Sequence, residues 1–414
     1  MTTPVDRAAA EEVGSVVAAE RTRLVASLIR LTGDWDLAED CVQDAVEKAL
    51  VHWPEAGLPR SPAAWLTTVA RNRALDVLRR RETERAKLQQ RAVMDEMDAV
   101  DAVDAPDKHL QADDRLRLIF TCCHPALAFD GRVALTLKTV AGLSTAEIAR
   151  AFLVSEATMS QRLLRTKRKI ANAAIPYRVP PDDLLAERTS GVLAVVYLIF
   201  NEGYGQPEDH LAFEAVRLAR LLVDLMPSED EARGLLALIT FQLARRSTRF
   251  DANGDLLPME EQDRSRWDAE LIAQGQLQLR RAAHSGRAPG AYQLQAQIAA
   301  RHAVAPVAEA TAWGAIVTLY DALLAAQPSP VIALNRAVAV GFRDGYEAGL
   351  AALAAVDVGL LSGYYLLPAA RADFLRRLGR RDEARWAYLE ALELAPDDQP
   401  AQRLLLRRLA EVQR

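Results

Sequence analysis

The 414-residue chain is half apolar, 6% aromatic and carries a formal net charge of −5, which suits two or three helical domains with real cores. Three cysteines exclude a disulfide framework, and the longest uninterrupted apolar run, Val192 to Phe200, is too short to cross a bilayer. Asp6, Glu11 and Glu12 stand where a signal peptide needs basic residues and then an apolar stretch, so a soluble cytoplasmic protein without membrane attachment is expected.

The net charge conceals a division. Residues 1–176 carry 25 acidic and 25 basic residues, whereas residues 177–414 carry 31 and 26. In the balanced half the bases form two clusters and the acids occupy a helix and a linker. Such segregation suggests separate surfaces for nucleic acid and for a protein partner.

In chain order, Val16 to Leu31 places Val17, Leu24, Leu28 and Leu31 at helical spacing, and Gly33 stops that helix. Asp36 to Val51 is a second amphipathic helix, with Leu37, Cys41, Val42, Ala45, Val46, Ala49 and Leu50 on its apolar side. Asp36, Glu39, Asp40, Gln43, Asp44 and Glu47 lie opposite at spacings of three and four, an acidic stripe with only Lys48 nearby. A basic partner and a solvated face are both open readings of that stripe. Trp53 to Ser61 reads as a loop punctuated by Pro and Gly. Ser61 as N-cap and Pro62 as first helical residue then start a helix that runs to Arg81. Trp65, Leu66, Val69, Ala70, Leu75 and Leu78 make its buried face. Arg60, Arg71, Arg73, Arg79, Arg80 and Arg81 form a basic cluster facing Asp76 alone.

Glu82 to Asp114 carries ten acids against four bases, and its centre, Met94 to Asp107, is poor in large apolar residues. That composition predicts a flexible linker. Arg115 to Cys123 and Arg132 to Ala141 are short helices. Cys122, Cys123 and His124 are adjacent, but neighbours on a helix point apart whereas zinc takes spaced ligands, so buried structural thiols are expected and no metal.

Leu143 to Ile170 reads as two short helices joined by a tight turn at Leu153 and Val154. Ser144 and Glu147 make an S-x-x-E capping box, and Ser155 is a second N-cap with Thr158 at its N3 position. Met159, Leu163, Leu164 and Ile170 supply the buried stripe, with Ser160, Gln161, Arg162 and Arg165 on the other side. This is a helix-turn-helix pattern. Between Thr145 and Ile170 six bases stand against two acids. Arg162 and Arg165 can fork onto guanine, and Lys167, Arg168 and Lys169 are placed for phosphates. An ordinary basic hairpin is the alternative.

Ala174 to Asp183 is proline-punctuated and marks a domain boundary. The rest reads helical. Ala322-Leu323-Leu324 followed by Pro328 recurs as Ala391-Leu392 followed by Pro396, 68 residues on, which is twice the tetratricopeptide period. Glu347-Ala348 recurs as Glu383-Ala384, and Ala369 to Pro396 is the best single repeat, with a fainter copy around Phe213 to Leu243. An α-solenoid of stacked helix pairs follows. Phe200 to Gly205 (FNEGYG) reads as a helix C-cap with a buried Tyr or as a contact site, and Asp251 to Asp255 as an ordinary turn whose glycine comes too early for a calcium loop.

The order of DLAEDCVQDAVEKAL, AWLTTVARNRALDVLRR, a linker and the helix-turn-helix resembles bacterial sigma factors of the extracytoplasmic-function (ECF) group, in the sigma-70 family, over roughly residues 10–172. With LIFTCCHPAL, FNEGYG and the repeats, the chain resembles the subgroup bearing a C-terminal tetratricopeptide-like extension. The resemblance implies that Asp36, Asp40, Gln43, Asp44 and Glu47 bind core RNA polymerase. It implies that Arg60, Ser61, Trp65, Arg71, Asn72, Arg73, Arg79 and Arg80 engage the melted −10 element, with the loop from Glu55 to Ser61 holding a flipped-out base. Thr158, Ser160, Gln161, Arg162, Arg165, Lys167, Arg168 and Lys169 would read the −35 element. In the family the acidic linker threads through the polymerase, where it can mimic nucleic acid or serve as a tether.

The expected protein is therefore all-α: a sigma-2-like domain over 10–85, a linker over 86–112, a sigma-4-like domain over 113–176 and a helical-repeat extension over 177–414. Its partners would be core polymerase and promoter DNA, with an intramolecular contact between extension and sigma domains and with no cofactor. The chain has no Walker loop, dinucleotide fingerprint or metalloprotease motif, so a non-enzymatic initiation factor is the reading. A polymerase-independent helix-turn-helix regulator and a helical-repeat scaffold are the alternatives.

Overall fold

The computed structural model describes residues 20–90, 108–152, 154–204, 211–356, 361, 363–395 and 399–413. It is 78% helical, and among the described residues the only extended pairing is an isolated bridge between Phe250 and Leu256. The chain divides into two compact units, Met1–Glu214 and Ala215–Arg414. The acidic run from Met94 to Asp107 lies outside the described residues, as do Val16, Val17 and Leu153.

In the first unit, α1 covers residues 20–32 and buries Leu24, Val25, Leu28 and Ile29. Gly33, at φ 65°, ends it in the left-handed region, which glycine enters without steric cost. Helix α2 (Trp35–Ala56) is capped by Asp34, whose carboxylate accepts from the Leu37 N–H at 3.0 Å. It runs a turn further than its proline suggests. Pro54 sits within the last turn, Trp53 beside it is buried edge-on against Trp65 at 5.4 Å, and Gly57 closes the end by donating to the Trp53 carbonyl. The expected loop from Trp53 therefore begins only at Gly57. Helix α3 (Pro62–Gln90) packs on α2 through Leu66, Ala70 and Ala74, with Trp65, Val69, Leu75 and Leu78 only half-buried. It carries the chain well past Arg81, and α4 (Lys108–Cys122) is already helical at Lys108, so both flanks of the acidic stretch are helical.

Helix α5 (Phe129–Leu135) continues into a π-helical turn, Thr136–Ala141, that Gly142 ends at φ 85°. Helix α6 (Thr145–Ala151) starts with the full capping box of Ser144 and Glu147, and α7 (Glu156–Asn172) with Ser155 accepting from the Thr158 N–H. The buried stripe of α7 is Met159, Leu163, Thr166 and Ile170. Thr166 takes the place expected for Leu164, which is half-buried. The reason is local: Thr166 bonds its own helix at the Arg162 carbonyl and lies over Gly131, where any added Cβ would come within 2.6 Å of its hydroxyl. The proline-punctuated segment after α7 is not a free tether, because Tyr177 donates to the Ala26 carbonyl at 2.9 Å and the Asp114 carbonyl at 3.3 Å. Helix α8 (Asp182–Tyr204) packs on α4 and α5, and Arg188 donates to the Phe120 carbonyl at 2.7 Å. Within Phe200–Gly205, α8 runs to Tyr204, which is buried as expected and stacks on Phe200; Gly203 lies inside the helix, where a Cβ would strike the Ala212 backbone nitrogen at 2.4 Å, and Gly205 lies outside the described residues.

The boundary between the units falls within α9 (Leu211–Leu225). In the second unit, α10 (Asp230–Ala244) packs on α11 (Ala269–Ala283) and α12 (Ala291–Ala303). Glu231 of α10 caps α12 by accepting from the Tyr292 and Gln293 N–H groups at 2.8 and 3.1 Å. Between α10 and α11, Asp251 makes the expected turn, accepting from Asn253 and Asp255 N–H groups. Then come α13 (Trp313–Ala326), α14 (Pro330–Asp344), α15 (Tyr346–Ala354), α16 (Leu366–Arg377), α17 (Arg381–Leu394) and α18 (Gln399–Gln413), each packed on the next. The repeat register agrees with these helices: Glu347 and Glu383 open α15 and α17, while Pro328 follows α13. Ala384, Tyr388 and Ala391 form the buried face of α17.

Phe374 of α16 wedges against α14 and α15 because Gly341 and Gly349 leave room for its ring. A Cβ on Gly341 would lie 2.3 Å from the ring tip. Gly341→Ala should therefore lower the unfolding free energy of the protein by about 1–3 kcal/mol. Urea titration followed by circular dichroism measures it, and an unchanged midpoint would show that the ring has room to move.

Candidate nucleic-acid interface

Helix α7 presents its charge from a rigid start. Ser155 fixes its first turn, and Thr158, Ser160, Gln161, Arg165, Arg168 and Lys169 are exposed along it. Arg162 is half-buried and lies 3.8 Å from Asp130. A cleft of about 500 Å³ beside α5 is lined by Arg162, Arg165 and Lys169. Exposed bases beside a capped N-terminus can meet phosphates and base edges together.

Lys167 departs from the expectation. It is not free for phosphate, since its side chain is only 13% exposed and its ammonium donates to Asp36 at 2.6 Å and Glu39 at 3.2 Å. Burial pulls its pKa down, but Glu39 and Asp36 more than offset this and hold it above the ordinary lysine value. Thr139 donates to the same Glu39 at 3.2 Å, and Thr22 to the Val140 carbonyl at 2.8 Å. Arg30 pairs with the buried Asp114 at 3.0 Å. These contacts close a seam of α1–α2 against α4, the π-helical turn and α7, within the first unit.

The acidic stripe on α2 is accordingly divided. Asp36 and Glu39 face Lys167, Asp44 pairs with Arg73 of α3 at 2.7 Å, and Asp40, Gln43 and Glu47 remain exposed, with Gln43 donating to Glu47 at 3.0 Å. Lys48 is thus not its only basic neighbour. Leu50, expected on the apolar side, is 45% exposed beside Val51 at 72%, whereas Ala49 and Trp53 carry the buried face to the end of α2. On α3 the basic cluster is also partly spent. Arg73 and Arg81 are tied to Asp44 and Asp34, so Asp76, 3.8 Å from Arg79, is not the sole acid. Arg60, Ser61, Asn72, Arg79 and Arg80 are exposed, and Trp65 and Arg71 half-buried.

Cys122 and Cys123 are free and buried. Burial pushes the Cys123 thiol up to about 11, against partial opposition from the Thr136 hydroxyl, and burial pushes Cys122 well above its ordinary value. Among the described residues no three His, Cys, Asp or Glu side chains converge as a metal site, and no described helix is long and apolar enough to cross a membrane.

Comparison with known proteins bears on this arrangement. Residues 16–84 match the sigma-70 region 2 family, residues 117–170 the sigma-70 region 4 family, and residues 188–283 a family of unknown function (DUF6596). An uncharacterized protein of Rhizobium meliloti is 44% identical over 383 residues, covering 91% of this chain and 90% of that one. The ECF RNA polymerase sigma factor SigL of Mycobacterium tuberculosis is 32% identical over 136 residues, 33% of this chain and 73% of its own. The chain belongs to the ECF sigma factors of the sigma-70 family. Probable ECF RNA polymerase sigma factor SigI of the same organism is 30% identical over 171 residues, 41% of this chain and 58% of that protein. The matched portions of this sigma factor are α1–α3 and α4–α7, and its extension carries the third match.

Sequence patterns missed the seam residues of this sigma factor, Thr22, Arg30, Asp114, Thr139 and Tyr177. Their types are ordinary, and nothing in their spacing reports a partner more than 80 residues away. Glu39→Gln leaves Lys167 with Asp36 alone and should cost about 1–3 kcal/mol. Hydrogen exchange in the last turns of α7 should then quicken, and unchanged exchange would mean that the seam is not held in solution. Ellman's reagent at pH 8 should modify neither Cys122 nor Cys123 in the native protein and both in urea; rapid native reaction would contradict their burial.

Proposed function

We propose that this sigma factor binds core RNA polymerase and directs it to specific promoters. The observation that carries the reading is the exposure of the basic residues of α7, of those of α3, and of Asp40, Gln43 and Glu47 on α2. Arg165, with Thr158, Ser160 and Gln161, reads the −35 element in the major groove, and Arg168 and Lys169 take phosphates. Arg60, Arg71, Asn72, Arg79 and Arg80, with Ser61 and Trp65, meet the melted −10 strand. Arg73 positions α3 against α2 through Asp44.

Asp36 and Lys167 satisfy one another, so full engagement of polymerase and −35 DNA requires the seam to open. Opening exchanges one set of charge partners for another, which keeps its cost within reach of the binding energy. The extension modulates this activity from the same polypeptide, either by covering the basic faces or by holding the DNA-binding parts apart.

Run-off transcription with purified core polymerase tests the proposal, comparing the full chain with one ending after Tyr204, which retains α8. The full chain should give specific transcripts. Asp40→Lys should abolish them while leaving duplex promoter binding intact, because Asp40 is exposed and makes no ion pair among the described residues. Arg165→Ala should weaken promoter binding by about 1–3 kcal/mol and relax base preference at the −35 element. Stronger transcription from the shorter chain would make the extension a restraint, and loss of it a requirement. No transcript from either form, without core binding, would favour a polymerase-independent regulator or a scaffold.

A further inference from the structure

The second unit contains a cavity of about 560 Å³, in the size range of small-molecule sites. We propose that it binds a small organic monocarboxylate carrying a planar apolar body. The site lies wholly within residues 258–377 and uses nothing from the helix-turn-helix, so its test stands apart from transcription.

The planar body is called for by the cavity's middle. Trp313 and Phe342 stack at 4.5 Å with only 11° between their planes, Tyr346 meets Phe342 edge-on at 6.1 Å, and all three rings line the cavity half-buried. Arg377 lies over Phe342 at 5.2 Å and over Tyr346 at 5.3 Å, so the half-buried indole of Trp313 is the ring surface this cluster offers a flat, apolar partner.

The charge is called for by the two ends, which differ. At one end Arg377 is already spent: its Nε donates to Asp373 at 2.7 Å, one terminal nitrogen to Glu260 and the other to the Tyr346 hydroxyl at 3.3 Å. With two carboxylates on that guanidinium, and Asp373 also held by Arg376 at 2.6 Å, this end offers an anion no free cation. At the other end Arg264 is held only by neutral acceptors, the carbonyls of His302 and Ala305 at 3.0 Å each and the Thr311 hydroxyl at 3.2 Å. Exposed Glu309 faces it without forming an ion pair, and burial pulls the Arg264 pKa down more than Glu309 restores it. Arg264 Nε and His302 Nδ1 are buried with no hydrogen-bond partner among the described residues. His302, whose ring meets Trp313 edge-on at 5.2 Å, is held down to about 4 by burial and by Arg264 and Arg245, so it is neutral at pH 7.

A partly desolvated cation that rests on the Trp267 ring at 5.1 Å and makes no ion pair with nearby Glu309, beside unspent hydrogen-bonding capacity, is a seat for one carboxylate. The far end sets the valence: its cations are already engaged by Glu260 and Asp373, so a second anionic group on the ligand would meet those carboxylates without a partner of its own. The aromatic pair lies between, so the acid and the flat body bind together.

The test is isothermal titration and ligand-observed NMR on the full chain with 2-naphthoate, biphenyl-4-carboxylate and indole-3-acetate, each beside its primary amide. Naphthalene-2,6-dicarboxylate and 2-naphthylmethylamine are the charge controls. At least one acid should bind tenfold or more tightly than its amide, the dicarboxylate and the amine should bind more weakly than 2-naphthoate, and Asn335→Trp should abolish binding. Asn335 is exposed on α14 at the cavity lining, so that variant leaves the core alone. Arg264→Met should also remove the preference for acid over amide; if it loosens the fold, the comparison of acid and amide on the unaltered chain still decides. Equal binding of acid and amide, preference for the amine, binding unaffected by Asn335→Trp, or no acid binding at millimolar concentration would each overturn the proposal.

Discussion

The ammonium of Lys167, lodged between the carboxylates of Asp36 and Glu39, is the contact around which the first unit is arranged. A lysine this far removed from water needs its charge answered, and leaving it unpaired would cost several times what a surface ion pair contributes. The answer comes from the start of α2, which fixes where the helix-turn-helix can lie. Thr22, Arg30 and Tyr177 then add polar contacts along the same seam, each leaving few alternatives because its partner is a backbone carbonyl or the buried Asp114. The capped start of α7 is left pointing away from this anchorage, free to present Thr158, Ser160 and Gln161.

This arrangement sorts identical residue types into different tasks. Arg73 and Arg79 are one turn and a half apart on the same helix, yet one is bound to Asp44 and the other is exposed. Asp36 and Asp40 are likewise neighbours on α2, one engaged by Lys167 and one open. This sigma factor thus holds part of its charged surface in internal pairs and offers the remainder, and the division follows from which helices pack together.

The second unit is built on a different economy. Its helices approach closely where glycine permits, as at Gly234 against the Gln293 backbone and at Gly341 and Gly349 around Phe374. Arginines then bind the loops and helices at their edges: Arg264 gathers the carbonyls of His302 and Ala305, and Arg403 and Arg407 reach back to Asp255 and Glu261. Arg264 and Arg377 also line a cavity whose wall carries the rings of Trp313, Phe342 and Tyr346.

Much of this was legible in the chain itself. Capping at Ser144 and Ser155, the apolar stripe of α7, the glycine stop at Gly33, and the repeat of Glu347-Ala348 at Glu383-Ala384 are local matters, decided within a turn or one repeat of the residues concerned. Periodicity also carries the all-α class, since it reports which face of each helix seeks burial. It does not report what lies opposite. The withdrawal of Lys167 from the phosphate-facing set, the sharing of the acidic stripe, the helical continuation through Pro54 under the pull of Trp53 and Trp65, and the spent and unspent ends of the Arg264–Arg377 cavity were decided by tertiary structure alone. Each depends on a partner distant in sequence, and burial and Coulomb energy act through space with no regard for chain separation.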